Sequence, residues 1–199
     1  MEWEHLFDDL EGQLAAEWEA QRAALDAESE RLRIAKLSLR DRLRSVVDGA
    51  GPVVLELLSG DRWKATPQVL GADWLGVCAE GDPRLRIVPL DAVQAVGVDH
   101  GMLLSSLDDH ASAPALRERM TFGFVLRDLA RRRIPVQLGL RSGEAMHGTV
   151  DRAGADHLDL AVHDAGEARR ARDVRAFRMI PFAAVLWVRL ASGTADLLT

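Results

Sequence analysis

The chain has 199 residues, of which 48% are hydrophobic and 28% charged, with a net charge of −6. Such a composition suits a soluble globular protein of one or two domains. The acidic balance removes whole-chain attraction to phosphate, no apolar run approaches the ~20 residues of a membrane helix, and the acidic start MEWEHLFDDLEGQL is unlike a secretory leader.

The first predicted element is a long helix from about Glu2 to Leu37, rich in Ala, Glu, Leu and Arg and free of proline. Its apolar residues Trp3, Phe7, Leu10, Leu14, Trp18, Leu25 and Leu32 recur at helical steps and make one stripe. At 1.5 Å per residue the helix reaches roughly 50 Å. Acidic residues dominate as far as Glu30 and basic ones from Arg31 to Arg44, an order that suits the helix dipole. Two readings stay open for the stripe: a solvated, dipole-matched face, or an arm that docks a partner through Trp3, Phe7, Leu10, Leu14 and Trp18.

Ser38-Leu39-Arg40-Asp41 has the form of a helix cap, opening a short helix over Leu39–Val47. Alternating segments follow from Pro52, with the single cysteine, Cys78, on a predicted strand. A lone cysteine has no internal disulfide partner, which points to a reduced, cytoplasmic setting. Residues 99–114 read as a connector with a short helical piece. A second helical stretch, TFGFVLRDLARRR, carries Leu126-Arg127-Asp128 in echo of Leu39-Arg40-Asp41, and strands resume at Pro135.

The two strand regions are copies. PVVLELLSGDRWKATPQVLGADWLGVC from Pro52 aligns without a gap with PVQLGLRSGEAMHGTVDRAGADHLDLA from Pro135. A second matched block pairs IVPLDAVQAV from Ile87 with MIPFAAVLWV from Met179. A duplicated unit defines architecture before any motif is consulted. In the second copy Val136, Leu138 and Leu140 alternate with polar or small residues. Ser142-Gly143-Glu144 makes a hairpin turn. Met146, Gly148 and Val150 form the next inward row, and Leu158, Leu160 and Val162 the one after Gly154. A last pair spans about Ala176–Ile180 and Ala184–Leu190, joined across Pro181. Five short, sharply bent strands per copy predict small antiparallel barrels.

This pattern resembles the Sm-like (LSm) small barrels: a short helix, then five bent strands. The family's first motif is matched by Leu138, Leu140, Gly143, Gly148 and His157-Leu158-Asp159, and its second by Ile180-Pro181-Phe182 and Val185. Other SH3-like barrels share the alternation and the glycine turns. The resemblance implies an α+β protein: a long N-terminal helix (1–37), a first barrel with its leading helix (38–98), the connector (99–114), a second barrel with its leading helix (115–191) and a tail (192–199). It also implies sheet edges open to pairing, so that one copy could extend the other's sheet. The RNA-reading residues of the family are not retained. Asp159 and Gly76 stand at the asparagine position, Ala155 and Ala72 near the aspartate, and Pro181 and Pro89 at the arginine, so the family's uracil pocket is not carried over.

Trp74 and His157 occupy equivalent positions and by alternation point away from their barrels' cores, where an aromatic ring could stack on a base or lie under a neighbouring element. Arg169, Arg170, Arg172, Arg175 and Arg178 form the best positive patch, with Arg131, Arg132 and Arg133 as candidates to join it. Asparagine and tyrosine are absent and lysine occurs only at Lys36 and Lys64. Those rare residues have AT-rich codons, so a high-GC bacterial genome accounts for much of the arginine. No nucleophile elbow, phosphate loop or metal-ligand spacing is present. The expectation is a non-enzymatic tandem binding or assembly module, without cofactor or metal, acting on a protein partner or a second copy. The alternative is RNA or single-stranded nucleic-acid binding through Trp74, His157 and the basic loop at Arg169, Arg170, Arg172 and Arg175.

Overall fold

The structure, a computed structural model, describes the backbone of residues 2–108, 116–166 and 169–191, with side chains throughout these except at 2–10 and 116. The predicted tail, 192–199, and most of the later part of the connector lie outside the described residues. The chain divides into two compact units, Met1–Arg42 and Leu43–Thr199.

The first unit is built on α1 (Glu2–Lys36). Proline is absent from it, and an Arg33–Glu30 ion pair at 2.7 Å supports its last turns. The chain then enters α2 (Leu39–Asp48), which opens on a reciprocal cap. The Asp41 N–H donates to Ser38 Oγ at 3.1 Å, and the Ser38 N–H donates to the Asp41 carboxylate at 3.1 Å. Leu43 and Val46 on the later turns of α2 are buried in the second unit.

In the second unit the first copy runs β1 (Val53–Leu57), β2 (Arg62–Leu70), β3 (Trp74–Ala79), β4 (Asp82–Pro89) and β5 (Val93–Gly97). After α3 (His100–Ser105) and α4 (Phe122–Arg132), the second copy runs β6 (Pro135–Leu140), β7 (Ala145–Ala153), β8 (His157–Val162), β9 (Ala176–Pro181) and β10 (Val185–Leu190). The copies agree in detail. The first hairpin of each turns on a glycine at positive φ, Gly60 at 87° and Gly143 at 86°. The second strand of each carries a register shift at the same place, between Pro67 and Val69 and between Val150 and Arg152. A single 3-10 turn follows Pro89 and Pro181 alike.

Two separate five-stranded barrels do not form. The ten strands make one continuous open antiparallel sheet in the order β5-β1-β2-β3-β4-β10-β6-β7-β8-β9. Each copy contributes its fifth, first, second, third and fourth strands in that order, and β4 of the first copy pairs with β10 of the second. The physical reason lies in the backbone. An unpaired β4 edge would leave a row of donors and acceptors beside apolar side chains, and the fifth strand of the other copy satisfies them. The α+β class and the long first helix stand as expected.

Two apolar clusters lie within this unit. One gathers α4 (Phe122, Val125, Leu126, Leu129) with Val136, Leu138, Leu158, Leu160 and Val188, and also takes Val69, Trp74, Leu85 and Ile87 from the first copy. The other gathers Leu43, Leu55, Leu57, Leu75 and Val77, and takes Leu186 from the second copy. Side chains on β10 therefore enter both clusters, and the copies share their interiors.

Candidate functional site

The candidate site comprises the junction between the copies and the two sheet edges that lack one. At the junction Val188 of β10 pairs with Ile87 of β4, and Arg189 with Arg86. On its other side β10 pairs with β6, Val188 lying opposite Leu138. Ile87 and Leu85 are 1% and 6% exposed because β10 and the second copy's core cover them.

Polar contacts lock the same seam. Asp82 at the start of β4 accepts from Arg84 at 2.7 Å, from Arg86 at 3.0 Å and from Arg189 of β10 at 3.1 Å. The Arg84 hydrogen bond, aided by Arg189, holds the Asp82 carboxyl well below the usual carboxylate range. The Arg86 guanidinium lies 4.6 Å from the centre of the Trp63 ring, which meets Trp187 edge-on at 6.0 Å. Farther along, Arg141 of the second copy forms an ion pair with Asp91 of the first at 3.0 Å.

The β2–β3 turn of the first copy also clasps the helix that leads the second. Trp74 Nε1–H donates to the Met120 carbonyl at 2.8 Å, and the Ala72 N–H donates to the same oxygen at 2.9 Å. The Asp73 carboxylate accepts from the Phe122 N–H at 2.6 Å. Together with Thr121 Oγ1, which accepts from the Phe124 N–H at 3.3 Å, Asp73 satisfies donors that the first turn of α4 leaves open.

The outer edges of the sheet are β5 and β9. In the repeat alignment Met179 and Phe177 of β9 correspond to Ile87 and Leu85 of β4. There the equivalent apolar side chains are bare, Met179 at 82% and Phe177 at 66% exposure. At the other end Val96 of β5 corresponds to Val188 of β10. The molecule thus carries one completed junction and the two unjoined halves of a second.

The residues singled out from sequence fall in different places. Trp74 is fully buried, because α4 covers the face that strand alternation left open, and its ring offers no surface for base stacking. His157, at the equivalent position, is exposed, and its Nδ1–H donates to the Asp156 carboxylate at 2.8 Å. Arg169 forms an ion pair with Asp151 through Nε and Nη2, Arg175 with Asp164, and Arg172 lies 3.5 Å from Asp173. Arg131 and Arg132 both meet Asp128, and Arg133 lies 3.8 Å from Asp151. Arg170 and Arg178 are exposed. Much of the positive patch is therefore internally neutralised. His163 is buried. Its Nδ1–H donates to the Asp164 carbonyl at 3.0 Å, and its Nε2 accepts from the Thr149 hydroxyl at 2.9 Å.

On α1, Leu14 and Trp18 are exposed, as are Leu25 and Leu32 farther along the stripe. Trp3, Phe7 and Leu10 lie on the helix, but their side chains fall outside the described residues. Among the described residues no group of His, Cys, Asp and Glu is arranged to hold a metal ion, and no helix is long and apolar enough to cross a membrane.

Phe177 and Met179 were not singled out from sequence. The signal available was that they match Leu85 and Ile87 in apolar character. Nothing local distinguishes a covered edge from a bare one. Comparison with protein-family models, with curated proteins and with solved structures finds no match, so the geometry alone carries the functional reading.

Proposed function

We propose that this protein is a non-enzymatic cytoplasmic assembly module whose partner is a second copy of itself, added strand to strand at the ends of the sheet. One observation carries the reading. The apolar pair buried at the internal seam, Leu85 and Ile87, has its repeat equivalent, Phe177 and Met179, standing bare on the opposite edge. β9 of one molecule would pair with β5 of the next, in the register copied from the internal junction: Met179 opposite Val96, and Arg178 opposite Gly97. Such a contact is heterologous, so repetition gives a closed ring or an open filament according to the rotation per step. The repeated strand order fits the likeness to Sm-like proteins, which belongs to the same proposal. Bare, large apolar side chains on an edge strand favour pairing over solubility, which a protein kept monomeric would avoid.

Covering Phe177 and Met179 removes roughly 300 Å² of apolar surface, worth about 7 kcal/mol before the cost of association is subtracted. That cost is about 4–15 kcal/mol, so the contact is reversible and depends on concentration. Sedimentation velocity of the full chain over a concentration series is expected to show association that a Phe177→Lys, Met179→Lys variant abolishes. In a Cys78→Ser background, mixing a Val96→Cys protein with a Met179→Cys protein should yield a mixed disulfide that forms far more slowly with either protein alone. A chain that stays monomeric at every concentration, or cross-linking indifferent to mixing, refutes the proposal.

A further inference from the structure

A cavity of about 180 Å³ lies beside the internal seam, where both copies contribute to its wall. From the first copy comes Arg84 of β4. From the second come Gln137 of β6, His147 of β7, His163 and Asp164 after β8, and Arg189 of β10. The cavity is rich in donors. Arg84 and Arg189 share the single carboxylate of Asp82 with Arg86, while Asp164 is paired with Arg175. Among the described residues, four guanidinium groups face two carboxylates in this network, an excess of two positive charges. Among the described residues neither the Gln137 amide nor the His147 ring has a hydrogen-bond partner, while both ring nitrogens of His163 are engaged.

The same place in the first copy provides a contrast within one molecule. Its cavity, about 580 Å³, is lined by Pro52, Val53, Val54 and Lys64, the repeat equivalents of Pro135, Val136, Gln137 and His147. Glu80 stands there in place of His163, and no strand lies beside β5 to supply the equivalents of Arg84 and Asp82. Of these two cavities, the one at the seam combines arginines from two strands with an imidazole and an amide that have no hydrogen-bond partner among the described residues.

We propose that this cavity is an oxyanion site that holds a tetrahedral anion of the phosphate class between Arg84, Arg189, His147 and Gln137, bracing one copy against the other. Guanidinium groups suit such an anion because their planar forks present paired N–H donors. The volume is below the ~300 Å³ at which pockets begin to bury drug-sized ligands, so the ion itself rather than a nucleotide fits. Asp164 also lines the cavity, and its carboxylate is tied to Arg175. The site's own field agrees with the assignment. Burial, then the charges of Arg189, His163 and Arg84, push the His147 imidazole below its ordinary range, with Asp164 opposing. A bound anion offsets that field.

The test uses the full chain with inorganic phosphate, sulfate and acetate at matched ionic strength. Isothermal titration is expected to show one saturable phosphate site per chain, with sulfate competing and acetate not. The His147 ring signals should titrate at higher pH when phosphate is saturating. Arg84→Gln and His147→Gln should each weaken phosphate binding about tenfold, the scale of one lost charge-assisted hydrogen bond, and Arg170→Gln should leave it unchanged. If either variant fails to fold, the His147 titration in the unaltered chain decides by itself. Acetate binding as well as phosphate, or a His147 titration indifferent to phosphate, overturns the proposal.

Discussion

The Trp74 clasp gives a sharp test of how the copies are joined. Trp74→Phe removes the indole N–H that donates to Met120 and trims a side chain that is fully buried. The hydrogen bond is worth about 1 kcal/mol, and Met120 O keeps its bond from Ala72 N–H, so no buried carbonyl is orphaned. The lost ring atoms leave a cavity costing about 1–2 kcal/mol more, because the walls are shared by β3, α4 and the second copy's core. The total of about 2–3 kcal/mol lowers the melting temperature by roughly 5–10 °C in a chain of this size. His157→Phe, the same substitution at the repeat-equivalent position, touches an exposed side chain and should stay within about 0.5 kcal/mol. Paired thermal melts followed by far-UV circular dichroism check both. Equal shifts in the two variants would refute the placement of Trp74 as a clasp and reopen it as a surface residue.

Three further outcomes are expected. Gly148→Ala puts a Cβ 2.4 Å from the Ala161 carbonyl oxygen, and urea denaturation should show a loss of about 1–3 kcal/mol from overpacking. The Asp82 carboxyl is depressed below the unfolded value of about 3.9, so its contribution is present above that pH and disappears as pH falls through the folded value. Asp82→Asn should therefore cost stability at pH 7 and flatten the loss of stability between about pH 4 and pH 2 in urea titrations. Because Arg169, Arg175, Arg131 and Arg132 are matched to carboxylates, single-stranded RNA should give no gel shift at physiological salt. A strongly salt-dependent shift lost in an Arg170→Gln, Arg178→Gln variant would contradict that expectation.

Much of the local architecture was legible in the residues. The long run without proline, the Ser38–Asp41 cap, the glycines at Gly60 and Gly143 and the matched blocks at Ile87 and Met179 mark helix, turns and strands where the structure has them. These signals are local, since a helix cap needs four residues and a hairpin glycine needs one backbone angle. Alternation located the inward rows Val136–Leu138 and Leu158–Leu160 as well. It left Trp74 open between base stacking and cover by a neighbouring element, because a strand's outer face is solvent only when nothing else covers it. For Trp74 the cover is α4, dozens of residues away.

By itself, the order of amino acids settled that one β-rich unit occurs twice behind a long helix, because propensity and periodicity act within a few residues of each position. Only the tertiary arrangement decided that β4 meets β10, merging the copies into one sheet. Ile87 and Met179 are alike in character and in strand position, yet one is covered and the other bare. Burial belongs to the neighbours a side chain acquires, and those neighbours are chosen by pairing between segments distant in the chain.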